Sequence, residues 1–270
     1  MNIQIKIENK HKYNYYSYIL CDLRNFIYVF FAIQKMDEKG VIMISEKELI
    51  YVWDAYCGWC YGFSSTIRSL HENHPEWPLT ILSGGLFVGD RSHSIAAFPH
   101  IPEANKRISQ ITGAKFGLAY QELLNEGSFV LDSESAAIGF YALRSLAPDR
   151  AMDLASAMQK AFYYDGLSLS APQTYYKIAV DHHMDADTVM KLLNNQETVA
   201  EVHKEFDKVQ RLGVNSYPTL LLRDGANFVS LGATMDIDEL EKRLASTIVA
   251  QPTKEDQCEV DNKTGRIYDC

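Results

Sequence analysis

Residues 51–62 read YVWDAYCGWCYG: two cysteines, Cys57 and Cys60, stand two residues apart, directly after a short apolar run. Spacing alone fits a redox pair, half of a zinc site or an accident, so the surroundings decide. Residues 49–54 (LIYVWD) are rich in β-formers and read as a buried strand. Beyond the pair, Cys60, Phe63, Ile67 and Leu70 recur at helical spacing. The second cysteine therefore belongs to a helix's apolar face, and the first to that helix's N-terminus. His74-Pro75 closes the helix, and residues 79–82 (LTIL) form a second strand before Gly84-Gly85. A strand, helix and strand of this length make one right-handed βαβ unit with parallel strands.

That placement has chemical consequences. A thiolate, not a thiol, attacks a disulfide, and the first turn of a helix offers unpaired N–H groups and the positive end of the macrodipole. Such positions lower a thiol pKa to about 3.5–7.5. Cys57 is the expected nucleophile. Cys60, one turn on and facing inward, is placed to resolve a mixed disulfide. Gly58 and Trp59 tune the pair without adding positive charge, and Trp59 is expected to be partly exposed and to touch substrate. Asp54, if buried nearby, opposes the cysteine anion. These features predict a less depressed pKa and a less oxidising couple than a pair flanking a histidine. The zinc alternative needs two more ligands, and Cys258 and Cys270, eleven residues apart, lack the usual short knuckle spacing.

From about residue 100 to 195 the pattern is helical. Phe116, Ala119, Tyr120, Leu123 and Leu124 form one apolar stripe. Asp132-Ser133 caps a helix through Leu146, with Pro148 stopping it; Leu154, Met158, Ala161 and Phe162 mark another, ended by Asp165-Gly166. Ser170-Ala-Pro172 opens a fourth, and Asp185 caps a short fifth. Val202, Phe206 and Val209 then sit on a helix ending near Gly213. Residues 219–222 and 228–231 are strands joined by a turn containing Asp224-Gly225. Asp236-x-x-Glu239 resembles a capping box, with Ile237, Leu240, Leu244 and Ile248 lining the closing helix. A βαβ unit, a helical block and an αββα unit describe a thioredoxin-like α/β sheet interrupted by an all-helical insertion. The thioredoxin-like part is read as residues 44–100 and 196–250, the insertion as 101–195.

Ser216-Tyr217-Pro218 lies directly ahead of a strand, where a proline has no ladder bond to lose. In such a sheet this loop faces the cysteine pair. The backbone of Tyr217, with Pro218, is then placed to hold an extended substrate beside Cys57 by β-augmentation.

At this point the chain resembles the DsbA-like thioredoxin-fold oxidoreductases, in particular their predicted protein-disulfide isomerase branch. The resemblance rests on DAYCGWCYGF at 54–63, Gly84-Gly85, AFYYDGLSLS at 161–170 and VNSYPT at 214–219, and spans residues 47–249. It implies a helical insertion over the active site, a cis Pro218 and dithiol–disulfide exchange by Cys57 and Cys60. The best-known periplasmic members carry Pro-His between the cysteines; Gly58-Trp59 here points away from a strong oxidant of secreted proteins.

Composition bounds the rest. Five cysteines with wide gaps do not form a secreted disulfide framework. A net charge of −9 argues against nucleic acid as a partner. No run approaches the roughly 18 apolar residues of a membrane span, so a soluble, cytoplasmic protein is expected. Lys6, Lys10 and Lys12 precede an apolar run at 26–33 (FIYVFFAI), but Asp22 and Arg24 interrupt it and no small-x-small site follows, unlike a signal peptide. KGVIM at 39–43 is compatible with codons that place a ribosome-binding sequence ahead of Met43. Residues 1–42, Cys21 included, are therefore read as translated upstream DNA or disordered chain, which an intact mass of the native protein would test. Residues 251–270 read as a polar tail. Cys258 and Cys270 are free thiols there or, alternatively, a secondary redox pair whose loop contributes at most about 3 kcal/mol. His93 and His182-His183 lack partners at ligand spacing, so no metal is expected, and Gly84-Gly85 lacks the phosphate-binding pattern. No organic cofactor is implied.

The function that follows is thiol–disulfide exchange with disulfide- or thiol-bearing proteins, peptides or small molecules, recycled by a cellular reductant. Two rivals stand beside it: a glutathione-dependent kappa-like transferase or isomerase, which needs no resolving Cys60, and a non-catalytic adaptor of the same fold.

Overall fold

The computed structural model describes residues 47–249. The readings of residues 1–42 and of Cys258 and Cys270 lie outside these residues. The described sheet has four strands in the order β2-β1-β3-β4. Strand β1 (Lys47–Trp53) is central. It runs parallel to β2 (Leu79–Ser83), with Tyr51 opposite Ile81, and antiparallel to β3 (Thr219–Asp224), with Tyr51 opposite Leu220. Strand β4 (Asn227–Ser230) turns back on β3 as an antiparallel hairpin, tighter than the sequence spacing suggested, with Asp224 facing Asn227 across a two-residue turn.

Alternation along β1 loads both faces of the sheet. Leu49, Tyr51 and Trp53 enter the larger core together with Cys60, Phe63, Ile67 and Leu70 of α1 (Gly58–Asn73). Ile50 and Val52 point the other way and pack with Leu82, Leu221 and Val209. Burying each of these large side chains contributes about 1.5–3 kcal/mol. The βαβ unit is thus formed by β1, α1 and β2, and its second strand is parallel as the spacing required.

Between β2 and α8 (Gln196–Arg211) lie six helices: α2 (Ile101–Thr112), α3 (Leu118–Glu126), α4 (Ser133–Leu146), α5 (Ala151–Tyr163), α6 (Pro172–Asp181) and α7 (Ala186–Leu193). Two of them carry the aspartate caps that the sequence indicated. The Asp132 carboxylate accepts from the N–H groups of Glu134 and Ser135, and Asp185 accepts from Thr188. Phe140, Leu143, Leu154, Met158 and Phe162 join the same core as α1, so the insertion completes the thioredoxin-like half rather than standing apart from it. After the hairpin, α9 (Ile237–Val249) is capped by Asp236, which accepts from Asp238 and Glu239, and lays Leu240 and Leu244 into that core.

Two local expectations need correction. Phe116 is not on a helical stripe: α3 starts at Leu118, behind the N-cap Gly117. Its ring instead meets Tyr61, Tyr120 and Tyr163 edgewise or tilted, so tertiary aromatic packing, not helical spacing, places it. Helix α2, which had no separate sequence signature, is a full twelve-residue helix.

Candidate active site

Cys57 is the N-cap residue of α1, with extended backbone angles, and its carbonyl accepts the first helical bond from the Tyr61 N–H. No side chain caps this helix and no acidic residue stands in its first turn. The positive end of the dipole is therefore left to the sulfur. The turn that feeds the helix is held by Asp54, whose carbonyl accepts from the Cys57 N–H and whose Oδ1 accepts from the Tyr56 N–H at 2.9 Å.

The two sulfurs differ in access. Cys57 keeps 7% of its surface exposed, whereas Cys60 keeps none. Both are free thiols. Burial pushes the Cys60 thiol well up and the Cys57 neighbour pushes the same way; the Asp54 backbone opposes this through a hydrogen bond, and the Asp54 charge adds a smaller push upward. Asp54 is buried as well, and burial raises its carboxyl, opposed by hydrogen bonds from Leu86, Ser133 and Tyr56 and by the charge of Arg91. Tyr51, from the middle of β1, donates its hydroxyl to the Cys60 carbonyl at 3.5 Å, and burial first, then the cysteines, raises its phenol.

Three loops converge on Cys57. Its thiol donates to the carbonyl of Tyr217 at 3.4 Å, and the Tyr217–Pro218 peptide bond is cis. The Tyr217 hydroxyl in turn donates to the carbonyl of Gly84, whose own N–H is held by the Trp53 carbonyl at 2.7 Å. Gly84 has to be glycine here, because a Cβ would stand 2.0 Å from the Tyr217 ring. Burial lifts the Tyr217 phenol to about 12, with the charge of Asp54 adding to the effect. The end of β2 is fixed from behind: the Glu205 carboxylate accepts from the Ser83 N–H at 2.6 Å and pairs with Arg144, which also donates to the Ile81 carbonyl.

Helix α2 lies over the start of α1. A Cβ on Gly58 would meet the Ile108 side chain at 3.1 Å and the Asn105 oxygen at 3.2 Å. Asn105 is buried and its amide donates to the Tyr120 hydroxyl. Trp59 is half-buried, as expected, and the Arg107 guanidinium sits over its ring at 5.9 Å.

The structure therefore gathers Asp54, Cys57, Gly58, Trp59, Cys60, Tyr217 and Pro218 in one place. Sequence reasoning missed the side chain of Tyr217, the exclusion of any Cβ at Gly84, and the whole contribution of α2. The Gly-Gly after the second strand was the available signal for the first two, but it reads equally as a plain turn. Among the described residues no group of three or more His, Cys, Asp or Glu is arranged to hold a metal ion, and no helix is long and apolar enough to cross a membrane. His182 is engaged by Arg150 through both its carbonyl and its ring.

A family model for the DSBA-like thioredoxin domain matches residues 48–245, most of the 270-residue chain. The chain belongs to the DSBA-like thioredoxin family. Its class is accordingly that of thiol–disulfide oxidoreductases. Solved structures share the DSBA-like fold. A Nitrosomonas europaea protein provisionally named a protein disulfide isomerase superposes with a TM-score of 0.68 at 20% identity, covering 76% of this chain and 99% of its own. The cytosolic disulfide reductase DsbM from Pseudomonas aeruginosa gives 0.64 at 19% identity over 76% and 100%. The same DsbM with GSH gives 0.62 at 21% over 75% and 99%. No curated protein matches the chain by sequence.

Proposed function

We propose that this DSBA-like protein exchanges disulfides with thiol- or disulfide-bearing proteins, peptides or small molecules, with Cys57 as nucleophile and Cys60 as resolving thiol. The Cys57 thiolate attacks one sulfur of the substrate disulfide, and the other sulfur leaves as a thiol after taking up a proton. Cys60 then gives up its proton and attacks the Cys57 sulfur. The substrate's remaining thiol departs, and a Cys57–Cys60 disulfide stays on the protein. A cellular thiol reductant returns the pair to the dithiol. Trp59 and the backbone at Tyr217-Pro218 hold the substrate.

The observation that carries this reading is the position of the Cys57 sulfur, at an uncapped helix start and against the Tyr217 carbonyl beside cis Pro218. A buried second thiol next to it favours two-cysteine chemistry over a kappa-like glutathione transferase, which has no use for one. A cytoplasmic site of action is part of the proposal, supported by the cytosolic description of DsbM.

The test is substitution of each cysteine. Cys57→Ser abolishes reduction of insulin disulfides, and Cys60→Ala accumulates substrate covalently attached at Cys57, detected by intact mass. Full insulin reduction by Cys57→Ser overturns the proposal. Conjugation activity that survives Cys60→Ala points to the transferase, and client binding that survives loss of both cysteines points to the adaptor.

A further inference from the structure

Two arginines at the rim of the site have no function in the exchange just described. Arg107, on α2, is exposed and stands over the ring of Trp59, the residue between the two cysteines. Arg91 is exposed too, and donates to the Gly85 carbonyl at 2.8 Å, next to the glycine whose carbonyl receives the Tyr217 hydroxyl. One cation is thus fixed on the Trp59 side of Cys57 and the other on the Tyr217 side. Among the described residues neither has an ion-pair partner, although Asp90 adjoins Arg91 in sequence and Glu103 lies one turn from Arg107 on α2. In a chain with 35 acidic and 26 basic residues, these two guanidinium groups place positive charge at the rim of the site, Arg91 also acting on the buried Asp54 carboxyl.

We infer that Arg91 and Arg107 select disulfides that carry carboxylates close to the reacting sulfurs, each guanidinium taking one acidic group of the substrate. A planar guanidinium matches a carboxylate through two parallel N–H donors, and Arg107 stands over Trp59 with no ion-pair partner among the described residues. This substrate class rests on the dithiol reading above. One turnover needs no further reactant: the two thiols of Cys57 and Cys60 give two electrons and two protons, the protein disulfide forms, and the substrate disulfide becomes two thiols.

The experiment is single-turnover oxidation of the pre-reduced full chain by three small disulfides, followed by loss of protein thiols. These are dithiodiglycolate (anionic), bis(2-hydroxyethyl) disulfide (neutral) and cystamine (cationic). Each rate is divided by the rate of dithiothreitol with the same disulfide, which removes differences in leaving-group chemistry. At low salt the normalised order is anionic, neutral, cationic, with the ends about tenfold or more apart, and the spread shrinks as salt rises. The molecule's net charge of −9 acting alone gives the reverse order. Arg107→Glu and Arg91→Glu each lower the anionic-to-cationic ratio at least about threefold, and together they invert it. A wild-type order that is flat or cationic-first overturns the inference, and needs no variant to fold. A ratio that neither substitution moves also overturns it. If none of the three disulfides is reduced, the dithiol reading itself is what fails.

Discussion

The Cys57 thiol donates to the Tyr217 carbonyl at 3.4 Å, closing a contact between loops 160 residues apart in the chain. The same tyrosine reaches back with its hydroxyl to Gly84, so one residue holds both the reactive sulfur and the end of the neighbouring strand. In the proposed exchange, substrate displaces the thiol from that carbonyl or shares it, so the proposal makes the posture of Tyr217 part of the reaction.

Tyr217→Phe leaves the carbonyl but removes the bond to Gly84. The expected loss is about 1 kcal/mol of stability, the net value of one neutral hydrogen bond, read by urea unfolding. KM for a peptide disulfide rises more than kcat falls, because the loop that holds substrate is loosened while both thiols stay in place.

Gly84→Ala drives a methyl group into the Tyr217 ring. Forcing the ring aside is expected to cost about 1–3 kcal/mol, and to slow thiol–disulfide exchange of Cys57 with a bulky disulfide. Combining it with Tyr217→Leu, which vacates the space, recovers part of the stability. Additive losses in the double variant would show that the two residues do not clash.

Asp54→Asn separates charge from shape. Burial holds the Asp54 carboxyl above its ordinary value of 3.8, so folding disfavours its ionised form. A carboxyl with a raised folded pKa contributes fully below the unfolded value, and that contribution is lost as pH rises through the folded one. Wild-type stability therefore falls, relative to the variant, from about pH 3.8 upward to the raised folded value. Urea midpoints of both proteins across that window check the sign. Resolution of a mixed disulfide by Cys60 also shifts to lower pH in Asp54→Asn, since the Asp54 charge opposes the Cys60 anion.

Arg144→Met strands the Glu205 carboxylate, which is 9% exposed, with only the Ser83 N–H to answer it. Breaking such a pair from one side costs about 3 kcal/mol, the low end for buried pairs because Arg144 keeps some solvent contact. Replacing both with Met is expected to restore most of the loss. Comparison of urea unfolding free energies for the single and double variants checks it.

How much of this was legible follows from the range of each interaction. The strand before Cys57, the apolar face of α1 and the caps at Asp132, Asp185 and Asp236 depend on neighbours within a turn or two, and the chain spells them out. Placing Cys60 inside and Cys57 at the helix start needed only the spacing of Phe63, Ile67 and Leu70. The fit of Tyr217 against Gly84 spans 133 residues, and no local pattern encodes it. Asp54 was readable as a neighbour of the cysteines, but the balance between its charge and its backbone hydrogen bond at Cys60 depends on depth, which spacing does not specify. Arg107 was invisible as a site residue for the same reason: its closeness to Trp59 comes from the packing of α2 on α1, not from anything in α2 itself.

Because Ile108 and Asn105 press on the spot where Gly58 lacks a side chain, the two residues separating the sulfurs are not an interchangeable cassette. A side chain placed there has to move the Ile108 and Asn105 side chains by at least a few tenths of an ångström. Exchanging the dipeptide between the sulfurs therefore also presses on the helix that covers it.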